Sequence, residues 1–255
     1  MGTILEVSHV FYSYHSLSGE TPALEDISFT AEEGEFLVIV GPSGCGKSTL
    51  LSLLAGLMKA EQGSIRISHS PSSGQQADIG YMLQKDHLFE WRTVYRNVIL
   101  GLEIQKKLAP ENLSHVEQML EDYGLSAFRD SRPSELSGGM RQRAALIRTL
   151  ALNPSLLLLD EPFSALDYQT RLQVCDDVYQ IIRREKKTAI LVTHDLSEAI
   201  SMADRILILS RRPARLCKIV QIHFQEPGLT PMRRRQAPEF KDYFNEIWKE
   251  LNTHG

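Results

Sequence analysis

Nine residues, Gly41-Pro42-Ser43-Gly44-Cys45-Gly46-Lys47-Ser48-Thr49, constrain this chain more than any other stretch. They follow the apolar run Phe36-Leu37-Val38-Ile39-Val40 and precede the helix-like Leu50-Leu51-Ser52-Leu53-Leu54-Ala55. A strand, a glycine-rich loop, Lys-Ser and a helix, in that order, form a cradle for phosphate. Its glycines let the backbone turn consecutive amides inward around an anion. A helix starting near Gly46 adds free N–H groups and the positive end of its dipole. In such a cradle Lys47 reaches the β- and γ-phosphates, and the Ser48 hydroxyl ligates Mg²⁺. Cys45, at the helix N-terminus, is expected to carry a lowered thiol pKa and to be open to alkylation that bound nucleotide prevents.

The rest of the chain supplies a sheet for the cradle. Residues 4–40 read as β: Ile4–Val7 and Val10–Tyr14 are strand-like, Ala23–Phe29 alternates, and Glu32-Glu33-Gly34-Glu35 turns into the strand before the cradle. Gly63–Ile67 and Ile79–Leu83 are further short strands, with residues 68–77 a Ser-, Pro-, Gly- and Gln-bearing surface loop between them. From about Trp91 to Leu150 the pattern is helical, with Leu113, Val116, Met119 and Leu120 on one face and a helix at Gly139–Leu152 ended by Asn153-Pro154. The uniformly apolar runs Leu156–Leu159, Thr188–Thr193 and Arg205–Leu209 fit strands covered on both faces, the parallel-sheet case. Helices at about 167–185 and 196–203 separate them, so the architecture is α/β. Beyond come a β stretch at Lys218–Phe224, a basic Pro-containing segment and a helix near Phe240–Leu251. From charge alone, Arg233-Arg234-Arg235 reads as a solvated linker.

Two further constellations carry chemistry. Asp160 closes the 156–159 strand, and a carboxylate at a strand's carboxyl end faces the ligand crevice of such sheets, where it can hold Mg²⁺ through water. Glu161, beside it, is placed to polarise an attacking water as general base. In Leu136-Ser137-Gly138-Gly139-Met140-Arg141-Gln142, Ser137 can cap a helix whose first amides lie at Gly138–Met140, a second anion site.

With this last motif the chain resembles the ATPase subunits of ATP-binding cassette transporters, whose signature reads Leu-Ser-Gly-Gly-Met-Arg-Gln. The likeness covers nearly the whole chain. It implies a P-loop NTPase core with a mainly parallel sheet, an N-terminal antiparallel β subdomain and an inserted α-helical subdomain. The expected divisions within a single nucleotide-binding domain, 1–255, are a core at 1–85 and 155–224, a helical signature subdomain at about 86–150 and a tail at about 225–255. The resemblance implies ATP and Mg²⁺ as cofactors and assigns roles to Gln84 as a glutamine that contacts the metal, to Glu161 as catalytic base and to His194 as the histidine at the γ-phosphate. Lys47 joins these in catalysis, and Ser48, Gln84 and Asp160 form the metal set. Ser164-Ala165-Leu166-Asp167 matches the loop that crosses between subunits. Tyr14 best fits the aromatic residue that stacks on adenine, with Phe11 and Tyr12 as competitors. In the family two cassettes pair head to tail, so Ser137, Gly138 and Gly139 of one close over ATP on the other.

The segment Leu88-Phe89-Glu90-Trp91-Arg92-Thr93-Val94 resembles a pattern of nitrate, sulfonate and taurine importers, at the surface that receives the permease; Glu90 stands where those carry proline. Leu209-Ser210-Arg211-Arg212-Pro213-Ala214-Arg215 resembles the same branch. Import of a small sulfonate, taurine, nitrate or pyrimidine vitamin precursor is the expected function, with a permease and an extracytoplasmic solute-binding protein as partners. The alternatives are an exporter ATPase and a cassette protein outside transport. Composition bears on what remains: with a formal net charge of -4 over 255 residues nothing suggests nucleic-acid binding, and three scattered cysteines form no disulfide framework. No basic stretch followed by an apolar one opens the chain, and no apolar run approaches the roughly 20 residues of a membrane span. The expected location is the cytoplasmic face of a bacterial membrane, held by a partner.

Overall fold

The apolar runs become the strands of one sheet. The computed structural model describes residues 2–17, 19–68 and 78–254. In it β3 (Phe36–Val40), β6 (Leu156–Asp160), β7 (Thr188–Val192) and β8 (Arg205–Leu209) lie side by side, almost wholly buried. With β5 (Ile79–Met82) and β9 (Leu216–Gln221) they form a six-stranded sheet in the order β5-β6-β7-β3-β8-β9. Every pair is parallel except β8 with β9. Successive side chains point to opposite faces, which divides the interior in two. Phe36, Val38, Val40, Leu157 and Leu159 enter one core with the helices, while Leu37, Ile39, Leu156 and Leu158 enter the other.

That second core is roofed by a three-stranded antiparallel sheet of β1 (Thr3–Ser16), β2 (Gly19–Glu32) and β4 (Gln62–Ile67), in the order β2-β1-β4. Between the sheets lies α1 (Lys47–Leu54), with Leu50, Leu51 and Leu54 fully buried. The two strands expected at 4–7 and 10–14 are one: β1 runs through, and its register against β2 slips between Val7 and Val10. His9 and, opposite, Asp26 take positive φ there (49 and 54°), a bulge that local alternation reads as a break. Residues 69–77 of the expected surface loop lie outside the described residues.

No strand interrupts the described chain from 86 to 150. There α2 (Val94–Val98), α3 (Leu100–Ile104), α4 (Pro110–Asp122) and α5 (Gly138–Leu150) pack on the first core. They are followed by α6 (Tyr168–Arg184) and α7 (Leu196–Met202) between strands, then α8 (Pro231–Arg234) and α9 (Pro238–His254). Caps fix the starts: Thr93, Ser137, Asp167 and Asp195 each accept a backbone N–H from the first turn of α2, α5, α6 and α7.

The arginine run at 233–235 is not the solvated linker that its charge suggests. Arg234 donates to the Ser201 and Ala203 carbonyls and to the Tyr179 hydroxyl, and its guanidinium stacks on Tyr179 and Phe224. Planar guanidinium groups tolerate such half-dry, carbonyl-lined sites. α9 continues this packing and places Ile247 fully in the core.

Candidate active site

Four segments converge on the carboxyl ends of adjacent strands, the rim where open parallel sheets hold ligands. β3 delivers the phosphate loop, β6 delivers Asp160 and Glu161, β7 delivers His194, and β5 at the sheet edge delivers Gln84.

The loop Gly41–Thr49 is built for an anion. Gly44 and Gly46 have φ of 74 and 126°, in the region that favours glycine. Gly46 caps α1 with no side-chain hydrogen bond, unlike the Ser137, Asp167 and Asp195 caps, so the first amides of α1 stay available. Lys47 is only 5% exposed, and its ammonium donates to the carbonyls of Gly41 (2.8 Å) and Pro42 (2.9 Å). A charged group held by two neutral carbonyls is under-compensated and suits phosphate oxygens better. The triphosphate of ATP fits this loop.

Beside it, the Ser48 hydroxyl donates to Asp160 Oδ1 (3.1 Å), and the Tyr81 hydroxyl approaches Asp160 Oδ2 (3.5 Å). Burial, above all, pushes the Asp160 carboxyl up from its ordinary value, although the Ser48 hydroxyl opposes the shift. A carboxylate penalised for its charge, paired with a hydroxyl, is a hard-oxygen set suited to Mg²⁺. Glu161 has a positive φ of 45°, and its carboxylate meets His194 Nδ1 at 3.0 Å. Gln84 Nε2 donates to Ser164 Oγ (3.3 Å), whose hydroxyl donates to the Glu161 carbonyl (2.9 Å). Ser48, Asp160, Glu161 and His194 thus form one cluster, with Gln84 attached through Ser164.

Tyr14 is the aromatic residue joined to the phosphate loop. Its hydroxyl shares a 2.9 Å hydrogen bond with Thr49 Oγ1, its ring is 42% exposed, and Tyr12 meets it edge-on at 5.2 Å. Tyr12 packs against the core instead, and Phe11 lies opposite Gln62 of β4.

The Ser137-Gly138-Gly139 turn stands apart. Among the described residues no hydrogen bond or ion pair joins it to the phosphate loop. Ser137 is exposed and accepts from the Met140 amide (3.3 Å). A methyl group on Gly138 would lie 3.0 Å from Leu166 Cδ2, and one on Gly139 would lie 2.9 Å from Val174 Cγ2, so α5 begins tightly against the 164–167 loop and α6.

One expectation is corrected. Cys45 is 1% exposed within the second core, and burial pushes its thiol pKa up, outweighing the ammonium of Lys47 and the local backbone amide. With the sulfur turned away from water, desolvation outweighs what the helix terminus contributes. Sequence reasoning also missed Tyr81 and Arg171. Arg171 donates to the Leu166 carbonyl (3.0 Å) and pairs with Asp195 (3.5 Å), one residue past His194. Tyr81 sits at alternate register in β5 and was legible as an inward neighbour of the 156–160 strand; nothing local marks Arg171.

The ABC transporter family model matches residues 24–164, more than half of the chain, spanning the phosphate loop, Gln84, the signature turn, Asp160 and Glu161. The chain belongs to the ABC transporter family. This ABC cassette is 47% identical over 251 residues to an uncharacterized ABC transporter ATP-binding protein, YtlC, of Bacillus subtilis (strain 168), covering 98% of this chain and 96% of that one. It is 39% identical over 236 residues to the aliphatic sulfonates import ATP-binding protein SsuB of Bacillus licheniformis, covering 92% and 89%. Among solved structures, the dimeric post-hydrolysis state of the ATP-binding cassette MJ0796 bound to ADP and Pi superposes with a TM-score of 0.71 at 28% identity, covering 86% of this chain and 99% of that one. The chain is therefore an ATP-binding, ATP-hydrolysing ABC cassette, with the fold that the sequence resemblance implied. Among the described residues no helix is long and apolar enough to cross a membrane.

Proposed function

We propose that this cassette drives import of a small sulfonate-type solute, taurine included, working as a head-to-tail pair against a membrane permease supplied by an extracytoplasmic binding protein. The surface beside Gln84 carries the reading. Trp91 is 72% exposed and packs its ring on Phe89 at 4.6 Å, while buried Asn97 fixes the turn beneath through the carbonyls of Phe89, Arg92 and Thr93. An exposed Trp ring backed by a half-buried Phe suits a protein partner. The likeness to the aliphatic sulfonates import protein supplies the solute class.

In this reading Lys47 exchanges its loop carbonyls for β- and γ-phosphate oxygens. Ser48, Asp160 and Gln84 would hold Mg²⁺, which when bound neutralises charge on those oxygens. Glu161 accepts the proton of the attacking water, and the His194 Nδ1 contact holds its carboxylate in place and leaves Nε2 free to face the γ-phosphate. Tyr14 receives adenine. Ser137, Gly138 and Gly139, with Ser137 exposed, begin the helix that faces nucleotide on a second cassette, which fits their separation from the phosphate loop of their own chain.

The test is uptake of radiolabelled taurine or an alkanesulfonate by cells expressing the cassette with its permease, wild type against Trp91→Ala. Trp91→Ala should abolish uptake and permease association while the isolated cassette still hydrolyses ATP. Normal uptake in Trp91→Ala cells removes the docking assignment, and no sulfonate uptake by wild type removes the solute class.

A further inference from the structure

The segment Leu209–Arg215 has no place in the catalysis described above, yet it underlies the phosphate loop at both ends. A methyl group on Gly41 would meet the Leu209 carbonyl and Cβ at 3.1 Å, and one on Gly46 would lie 2.9 Å from Leu24, 3.0 Å from the Ala23 carbonyl and 3.8 Å from Ala214. The segment joins β2 as an added edge: the Ala214 amide donates to Ala23, and the Glu25 amide donates to Ala214. Its turn is closed by hydrogen bonds between Ser210 and Arg215, and Arg215 pairs with Glu25.

At its apex the Arg212 guanidinium carbon lies 5.6 Å from the centre of the Tyr14 ring, within cation–π reach. The same guanidinium donates to the carbonyls of Pro22 (2.9 Å) and Thr21 (3.3 Å). Thr21 is the cross-strand partner of Tyr14. Arg212 is thus tied to the strand beside the ring while its guanidinium lies over one face, and with Arg212 in place Tyr14 stays 42% exposed. The ring is held at its hydroxyl by Thr49 and across its face by Arg212.

We propose that Arg212 is a nucleobase-positioning residue: it fixes Tyr14 and, with it, forms the platform on which the adenine of ATP rests. This rests on the reading of Tyr14 as the adenine-stacking residue. Guanidinium planes and aromatic rings are both surfaces on which bases stack, and a ring pinned beforehand loses less freedom when the base arrives. Arg212 itself bonds to Pro22 and Thr21 and lies over Tyr14, with no hydrogen bond or ion pair to Gly41–Thr49 among the described residues, so its contribution depends on the base.

Isothermal titration of full-length wild type, Arg212→Ala, Arg212→Lys and Tyr14→Ala with ATP and with inorganic tripolyphosphate tests this. Arg212→Ala should weaken ATP about two- to fivefold and leave tripolyphosphate unchanged. Arg212→Lys, which keeps the charge but not the planar fork, should fall between. Equal weakening of both ligands would make Arg212 a structural tie only, and unchanged or tighter ATP binding would equally overturn the proposal. Should Arg212→Ala melt at a lower temperature, Arg212→Lys carries the comparison. Tyr14→Ala separates the two readings. If Tyr14→Ala lowers ATP affinity selectively and the Arg212 variants do not, only the Arg212 assignment falls; if Tyr14→Ala binds both ligands as wild type does, the adenine site lies elsewhere and Arg212 falls with it.

Discussion

Two glycines of one loop should respond very differently to a single methyl group. Gly44 has φ of 74° with nothing within 4 Å of a built Cβ. Alanine there meets only the left-handed penalty of about 1–2 kcal/mol, partly offset by about 0.4–1 kcal/mol from a stiffer unfolded chain. Gly46 has φ of 126° and ψ of 10°, beyond the left-handed helical basin, and its Cβ would press on Leu24 Cδ2 at 2.9 Å and on the Ala23 carbonyl at 3.0 Å. The backbone term is about 1–3 kcal/mol and the crowding term about 1–3 kcal/mol, because a strand carbonyl in a bonded sheet cannot step aside. After the same offset, Gly46→Ala should cost about 2–4 kcal/mol and Gly44→Ala about 0.5–1 kcal/mol. At about 2–4 °C per kcal/mol for a chain of this size, Tm of the nucleotide-free protein should fall roughly 4–16 °C for Gly46→Ala and by roughly 1–4 °C for Gly44→Ala. Thermal and urea melts followed by circular dichroism measure both. Leu24→Val in the Gly46→Ala background should cost less than in wild type, because it relieves the Cδ2 contact. Equal shifts for the two glycines, or a larger one for Gly44, would refute the packing account of the loop.

Three other changes follow from the site. Glu161→Gln should keep ATP affinity within about twofold and lower kcat by about 10²–10⁴, the usual span for a lost general base; single-turnover hydrolysis within tenfold of wild type would remove Glu161 from that role. Alkylation of Cys45 should be slow at neutral pH and still accelerating above the ordinary thiol range, as its raised pKa requires, with ATP slowing it further; mass-spectrometric mapping of rapid labelling at pH 7 would contradict the burial. Asp160, raised by burial, is favoured in its neutral form, so above its folded pKa the ionised carboxylate lowers stability, and below its unfolded value that loss is absent. Asp160→Asn should therefore raise the Tm of the nucleotide-free protein by a few degrees at pH 7, the gain shrinking as pH approaches about 4, while hydrolysis is lost; a gain that grows on acidification would reverse the assigned sign.

The parts of the fold that were legible in the sequence are those that local pattern determines. Continuous apolar runs such as Leu156–Leu159 fit strands buried on both faces, and Ser137 and Asp167 announce the helices they cap, because a cap acts within three residues. What escaped depends on partners far along the chain. The bulge at His9 is set by pairing with Asp26, and Arg234 is drawn inward by Tyr179, Phe224 and two carbonyls some thirty residues upstream. The direction of the Cys45 shift turned on which way one sulfur faces, information a helix N-terminus does not carry. Arg212 reaches back 190 residues to Pro22, a contact that nothing near it in the sequence announces.

The contacts around Ser164–Asp167 run between the signature turn and the hydrolytic cluster, which no bond joins directly. Leu166 closes against Gly138 at one end, so the first turn of α5 cannot shift without displacing Leu166 or opening a gap in a tight contact. The Leu166 carbonyl is held by Arg171, and the same guanidinium pairs with Asp195, which caps α7 immediately after His194. At the other end Ser164 donates to the Glu161 carbonyl and accepts from Gln84. Within this loop Leu166 meets the signature turn, Ser164 meets the Glu161 backbone and Gln84, and Arg171 carries the connection on to Asp195, the neighbour of His194. These contacts place the elements next to one another; coupling between them needs a measured interaction, such as a double-mutant cycle of Arg171 with Leu166. On the proposed reading that the turn meets nucleotide on a second cassette, the Leu166 end of the loop is where that approach is felt, with Arg171 as the member that ties it to Asp195.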